Sequence, residues 1–220
     1  KGWVLGETLI TGIGQGYLQT TPLQLCLMTA QLANGGYKIY PKIIVNENDD
    51  TVEKIKELIN KNSIKDKKTQ EGSLSGQDLF GFIKEEKHQP LYKSSENVKY
   101  ILSTMFASTN EIRGTSYSSR IDDPKYQFAG KTGTSQVKRI TARERELDLK
   151  TIEIPYEERD HALYIAFGPY KNPRYAISIV VEHGGSGSST AAPIAKKLFK
   201  MIIDKHEIRE KNRIQKIHTI

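Results

Sequence analysis

Two apolar runs in the last third of the chain, Ala162–Phe167 and Tyr175–Val181, constrain the fold most. Both are rich in β-branched and aromatic residues, and Gly168-Pro169-Tyr170-Lys171-Asn172-Pro173 between them carries the turn chemistry of a hairpin. The pattern predicts two antiparallel strands. Gly184-Gly185-Ser186-Gly187-Ser188-Ser189 then crosses to a helix, with Ser189 or Thr190 as its cap and Pro193 in its first turn. Ile194, Leu198, Met201 and Ile202 supply its expected apolar face. A glycine-serine loop ahead of a helix also suits phosphate. No P-loop lysine follows in register, so a flexible crossover is the reading adopted. Beyond Glu207 a frayed, basic helix end is expected, residues 207–220 forming a tail.

A third strand is expected upstream, in Ala129-Gly130-Lys131-Thr132-Gly133-Thr134-Ser135-Gln136-Val137. Thr132 and Thr134 stand two apart, which on a strand places both hydroxyls on one face. Glycine inside a strand often marks close approach of a ligand or another backbone, and Lys131 adds a cation on a long stem. Such an edge suits a small anion, most naturally a carboxylate, held against backbone amides. The alternative is an ordinary strand that happens to spell Lys-Thr-Gly. A P-loop is rejected, because Lys125 occupies the position of its first glycine and Thr134–Val137 reads as extended.

Ahead of these strands the clearest punctuation belongs to a helix. Thr21 is an N-cap, Pro22 fits the first helical position and Gln24 completes a capping box. Leu25, Met28 and Leu32 follow at helical spacing, and Asn34-Gly35-Gly36 ends the helix. Apolar over most of its girth, it is expected in the core. Gly12-Ile13-Gly14-Gln15-Gly16 before it reads as a turn passing close to other backbone, one residue short of a dinucleotide fingerprint since Tyr17 replaces the last glycine. Tyr37–Val45 reads as a peripheral strand broken by Pro41. Residues 46–93 form a charged surface excursion, with a helix over 52–59 and Leu79, Phe80 and Phe82 available for docking. Helical periodicity returns over Asn97–Phe106, and 114–127 is a connecting loop. Residues 139–160 read as a long mobile loop over one edge.

Composition narrows the function classes. With 37% hydrophobic and 27% charged residues the 220-residue chain is of globular type. It contains neither an apolar run of membrane-span length nor a signal peptide at Lys1. It reads as one domain or a large piece of one, opening inside a longer protein. The formal net charge of +7 argues for a solvated surface or an acidic neighbour, such as anionic lipid or cell-wall polymer. No nucleic-acid motif accompanies it. Cys26, alone among Leu25, Leu27 and Met28, is a buried thiol rather than a nucleophile. His88, His161, His183, His206 and His218 lack metal-ligand spacing, so no metal and no cofactor is expected.

The order of these features resembles the back half of a class B penicillin-binding transpeptidase, nearest to members acting in cell elongation. Thr11–Gly16 with Thr21-Pro22-Leu23-Gln24 is similar to the segment before a core helix in that family. Gly130–Val137 is similar to its third motif, and Ala166–Tyr170 with His183-Gly184-Gly185 to Pro193 fits its remaining strands and final helix. The resemblance covers nearly all of 1–220, least well 46–93. It implies an α/β (α+β) fold of the penicillin-binding and serine β-lactamase type, an antiparallel sheet flanked by helices, of which only the C-terminal part is present.

For chemistry, the resemblance implies acylation of a Ser-x-x-Lys serine by the D-Ala-D-Ala end of a peptidoglycan stem peptide, then attack by an amine of a second stem. Lys131 would be the third-motif cation, aiding proton movement and anion attraction. Thr132 and Thr134 would bind the carboxylate of substrate or β-lactam. The Thr134 N–H would be an oxyanion donor, and Gly133 would stay small for the acyl group. Ser-x-x-Lys and Ser-x-Asn belong upstream of Gly12 in this family. Ser135-Gln136-Val137-Lys138, Ser95-Glu96-Asn97 and Ser108-Thr109-Asn110 spell them in the wrong places, so the nucleophile is expected outside this chain and the fragment is expected to be inactive. A bacterial inner-membrane anchor would also lie upstream, with the catalytic domain on the periplasmic side and an elongation glycosyltransferase and other cell-wall proteins as partners. Apolar surface on the core helix and hairpin would then lie uncovered, leaving the fragment marginal or dimeric. The alternatives are a serine β-lactamase or D,D-carboxypeptidase of the same fold, and a non-catalytic cell-wall binding module.

Overall fold

The computed structural model of the protein describes residues 2–41, 89–138 and 151–217, the side chains as far as 212. Residues 42–45, the helix expected over 52–59, Leu79, Phe80, Phe82 and residues 139–150 lie outside the described residues. The elements are helices α1 (Leu5–Gly12), α2 (Pro22–Ala33), α3 (Ser95–Asn110) and α4 (Ala192–Ile217), and strands β1 (Ala129–Ser135), β2 (His161–Gly168) and β3 (Tyr175–Val181). The strands form an antiparallel sheet in the order β1-β2-β3, so the hairpin is β2–β3 and β1 is an edge. Pairing runs without interruption from Ala129 opposite Phe167 to Ser135 opposite His161.

Each face of this sheet is covered by a different kind of helix surface. On one face Ala192, Ala195, Phe199 and Ile203 of α4 pack with Phe128, Ala162, Tyr164 and Ala166, and the Phe128 and Phe199 rings stack at 4.9 Å. Alanines let the helix axis come close, and Phe199 then fills the space in front of them. On the other face Met105 of α3 packs with Ala129 and Phe167, flanked by Leu32, Leu102, Phe106 and Ile165. Burying a side chain of this size contributes about 1.5–3 kcal/mol relative to exposure.

α4 departs from the periodicity reading. Its buried stripe is Ala192-Ala195-Phe199-Ile203, whereas the expected Ile194 and Met201 are exposed. Counting large aliphatics selects the wrong stripe, because contact with a sheet rewards small residues that allow close approach. Nor does the helix fray at Glu207, for it continues to Ile217. The glycine-serine crossover is not a flexible linker either. A wide π-turn, Gly187–Ala191, leads straight into α4. A Cβ on Gly187 would stand 2.4 Å from the Leu163 carbonyl oxygen and 2.7 Å from that of Gly133. Only glycine lets this turn lie flat on the β1–β2 pair. Thr190 does not cap the helix. Its hydroxyl donates to the Gly184 carbonyl at 2.8 Å.

The N-terminal half follows its punctuation more closely. The Thr21 hydroxyl accepts from the Gln24 N–H at 3.2 Å and the Gln24 side chain accepts from the Thr21 N–H at 2.8 Å, a closed capping box. After Asn34, Gly35 and Gly36 both take positive φ. Yet α2 is not enclosed. Thr29 is its one fully covered residue, and Leu23 is 65% exposed. The sheet and α3 cover one side of α2, so a helix apolar over most of its girth keeps a bare flank among the described residues. In place of a strand from Tyr37, the described part forms a single bridge between Tyr37 and Pro90. α3 extends beyond Asn97–Phe106 to Ser95–Asn110.

A charged cluster fastens α4 to the approach of β1. Tyr126 donates to Asp204 at 2.5 Å, and the Lys125 ammonium reaches Asp204 at 3.3 Å and Glu207 at 2.9 Å. The Tyr126 hydroxyl first, then Lys125, holds the Asp204 carboxyl below its usual range. A depressed carboxyl stabilises the fold above its unfolded pKa of about 3.9, and that stabilisation disappears as pH falls through the folded value. D204N is therefore expected to lower the thermal midpoint at neutral pH and to match wild type in strongly acid buffer. Phe199→Ala is expected to cost about 3–5 kcal/mol in urea unfolding, and Met201→Ala to stay within about 0.5 kcal/mol. Equal losses would contradict the assigned face of α4.

Candidate active site

Edge strands leave backbone groups without partners, and here the two halves of β1 are treated differently. The end of α3 serves the first half. Asn110 Nδ2 donates to the Phe128 carbonyl at 2.9 Å. The Gly130 N–H donates to Thr109 Oγ1 at 3.0 Å, and Thr109 Oγ1 lies 3.4 Å from the Gly130 carbonyl. Thr109 is fixed in turn by the Tyr164 hydroxyl at 2.9 Å, which also meets Ser116 Oγ at 3.1 Å. Thr109, Ser116 and Tyr164 are all fully buried. Burial pushes the Tyr164 phenol up, so it remains a neutral hydroxyl in this network. Gly130 is required here, since a Cβ would fall 2.5 Å from the Tyr164 ring.

Among the described residues the second half of β1 is open. In an antiparallel pair the N–H and C=O of one residue point to the same side, and successive residues alternate. Gly130 turns both groups away from β2, toward Thr109. Across an uninterrupted register Thr132 and Thr134 must do the same, while Lys131, Gly133 and Ser135 pair with β2. The Thr132 and Thr134 N–H groups therefore face the free edge. The Lys131 ammonium curls onto that edge, donating to the Thr132 carbonyl at 2.9 Å and standing 3.4 Å from Thr132 Oγ1. Thr115 Oγ1 comes within 3.3 Å of Thr132 Oγ1. Open amides, an ammonium and hydroxyls on one short edge form a site for an anion.

The other sequence candidates fall away from this edge or into supporting roles. Ser135 lies on an extended strand, which cannot bring i and i+3 together as a helix does, and Lys138 is paired with Glu158 at 2.6 Å. Ser95 begins α3, at the end remote from Thr109. Ser108-Thr109-Asn110 is the fastening of β1. Cys26 is half-buried, not fully buried, and its thiol donates to the Ala176 carbonyl at 3.4 Å. Burial pushes that thiol up, away from the thiolate form. Gly14 and Gly16 take positive φ, and the turn they form reaches the residue after β1 through Gln15 Nε2, which donates to Gln136 Oε1 at 3.2 Å.

Two histidines read as scattered are neighbours. His161 Nδ1 accepts the His183 N–H at 2.9 Å, and their rings lie 4.8 Å apart. Among the described residues they form no cluster of three potential metal ligands. Residues 151–160, read as part of a mobile loop, carry two short 3₁₀ turns, Thr151–Glu153 and Tyr156–Glu158. Asp160 joins them to the end of β1, its carboxylate accepting the Val137 N–H at 3.1 Å. Sequence reasoning met Thr109 only inside a misplaced Ser-x-Asn spelling and missed its role, along with Thr115, Ser116 and Tyr164. The available signal was the polar run that ends an otherwise amphipathic α3.

Comparison with known proteins gives a consistent answer. The family model described as the penicillin binding protein transpeptidase domain matches residues 1–200. The peptidoglycan D,D-transpeptidase MrdA of Salmonella typhimurium is 33% identical over 205 residues, 93% of this chain and 28% of the relative. MrdA of Escherichia coli K12 is 28% identical over 206 residues, 93% of this chain and 27% of the relative. The chain thus spans little more than a quarter of the curated relatives it matches. The penicillin-binding protein PBP2 of Helicobacter pylori, solved in complex with MreC, superposes with a TM-score of 0.60 at 27% identity, over 94% of this chain and 29% of that one. Pseudomonas aeruginosa PBP2, solved in complex with WCK 5153, gives 0.59 at 29% identity, over 91% and 34%.

The alternation along β1 is directly measurable. In amide exchange by NMR, Gly130, Lys131, Gly133 and Ser135 are expected to be protected, with Thr132 and Thr134 exchanging much faster. Uniform protection along the strand would mean that the edge is covered.

Proposed function

This chain belongs to the penicillin-binding protein transpeptidase family, and on that premise we propose that it is part of a serine-type peptidoglycan D,D-transpeptidase. The observation that carries the reading is the open half of β1, where free amides, the Lys131 ammonium and the Thr132 hydroxyl meet. The acyl donor is the D-Ala-D-Ala end of a stem peptide, or a β-lactam in its place. Its carboxylate is held by the Thr132 and Thr134 hydroxyls in the field of Lys131, charge-assisted bonds about twice as strong as neutral ones. Gly133 stays small for the approach of the acyl group.

The chemistry is acyl transfer in two halves. A serine attacks the penultimate carbonyl, and the negative charge that develops on its oxygen is met by the Thr134 N–H, already aimed outward and needing no reorganisation. D-Ala leaves, and an amine of a second stem peptide takes the acyl group. On this reading the nucleophile and its lysine, the second oxyanion donor and an inner-membrane anchor belong to the rest of the full-length protein. Among the described residues no helix is long and apolar enough to cross a membrane. The catalytic domain works outside the inner membrane, in cell elongation, alongside a glycosyltransferase and other cell-wall proteins. The named complex of the Helicobacter pylori relative with MreC supports partners of that kind.

The test is intact mass after incubation with a reactive penicillin, on this chain and on the full-length protein that contains it. One adduct on the full-length protein alone is expected, on a serine upstream of Lys1. K131A, T132V and T134A, each of which removes one group that holds the carboxylate, should each slow its formation by about 10–100-fold, the effect of one lost hydrogen bond to a charged group. An adduct on Ser135 of the isolated chain would overturn this assignment.

A further inference from the structure

The open edge carries a third hydroxyl that the acyl-transfer reading leaves without a role. Thr115 Oγ1 stands 3.3 Å from Thr132 Oγ1 and 3.3 Å from Ser108 Oγ. With the Lys131 ammonium 3.4 Å from Thr132 Oγ1, these groups form one chain: Lys131, Thr132, Thr115, Ser108. Thr115 is exposed, yet its backbone is tied on both sides. The Gly114 N–H donates to the Glu111 carbonyl at 2.8 Å and the Tyr117 N–H to the Gly114 carbonyl at 3.1 Å. The next residue, Ser116, donates to the Ser108 carbonyl through both its N–H and its hydroxyl, each at 3.0 Å. The same Ser116 hydroxyl belongs to the buried network that holds Gly130.

We infer that Thr115 is a positioning residue that sets the direction of the Thr132 hydroxyl toward the carboxylate of the acyl donor. The inference rests on the transpeptidase reading of this edge. A threonine hydroxyl has one proton and two lone pairs. Lys131 occupies one lone pair of Thr132. If the Thr132 proton is spent on Thr115, none remains for an incoming anion. If Thr115 donates instead, it fills the second lone pair of Thr132 and leaves that proton for the carboxylate. Ser108 can make the same donation to Thr115. The order Ser108 to Thr115 to Thr132 to carboxylate then runs in one direction, and aligned hydroxyls polarise one another. A carboxylate accepts only, so its arrival selects this order.

The experiment uses the full-length protein that contains this sequence, and acylation as a second-order rate. The donors are a penicillin and a pair of thioesters, one with a free terminal carboxylate and one with a carboxamide. Thr115→Val is expected to slow the penicillin and the carboxylate thioester about tenfold, the effect of one lost hydrogen bond to a charged system. It should leave the carboxamide thioester unchanged. Thr115→Ser should restore the rate, and Thr115→Val should add no further loss in a Thr132→Val background. Equal slowing of both thioesters would mark Thr115 as a structural residue and overturn the inference, as would an unchanged penicillin rate. A wild-type protein acylated by none of the three compounds would overturn the transpeptidase reading itself, and this inference with it.

Discussion

The Thr109 hydroxyl is the contact on which the working edge depends. Buried between Tyr164, Ser116 and Gly130, it satisfies the outward backbone of β1 at one residue and stops there. An edge strand fully covered by α3 would have no amides to offer a ligand. One left entirely bare would lack a reason to keep its position. Thr109 and Asn110 hold Phe128 and Gly130, so Thr132 and Thr134 are presented at a fixed place with their N–H groups free. Because the network is buried, a missing member leaves donors unpaired at a cost of roughly 1–3 kcal/mol each. Strength of that kind is what keeps an edge in register.

Around that contact the sheet is packed by two different rules. The α4 side relies on close approach, with Ala192 and Ala195 against the strands, Phe199 in the gap, and Gly187 flat on the backbone of Gly133 and Leu163. The other side relies on larger side chains, Met105, Phe106 and Leu102, and among the described residues leaves part of α2 bare. The tight side fixes β1 from beneath, and the Tyr126–Asp204–Lys125 cluster ties the same helix to the segment leading into β1. Both devices act on the strand that carries Lys131, Thr132 and Thr134. The chain itself spans little more than a quarter of the curated relatives it matches.

Much of this could be read from the chain before any coordinates. Thr21-Pro22-x-Gln24 closes the capping box that its spelling promises, and the two apolar runs make the hairpin. Gly130–Thr134 forms a strand rather than a P-loop, and the motifs at Gly12–Gly16, Lys131–Thr134 and Ala166–Tyr170 led to a family that the comparisons bear out. These features share a cause. Caps, turns and two-residue alternation are dictated by backbone geometry over a few residues, and local geometry is written in local sequence.

What the chain did not disclose alone was everything decided by the opposing surface. Which stripe of α4 is buried depends on how close the sheet allows it to come, so Phe199 and two alanines win over Ile194 and Met201. Whether a glycine-serine stretch is a linker or a tightly seated turn depends on what lies beneath Gly187. His161 and His183 become neighbours because the start of β2 and the turn after β3 lie side by side. Ser108-Thr109-Asn110 looks like a misplaced catalytic spelling until Gly130 is seen to need the Thr109 hydroxyl. The strand and its hydroxyl pair follow from a period of two along the backbone. Its position, its open amides and its neighbour Thr115 follow from contacts between segments far apart in sequence, which pack only once the whole sheet is assembled.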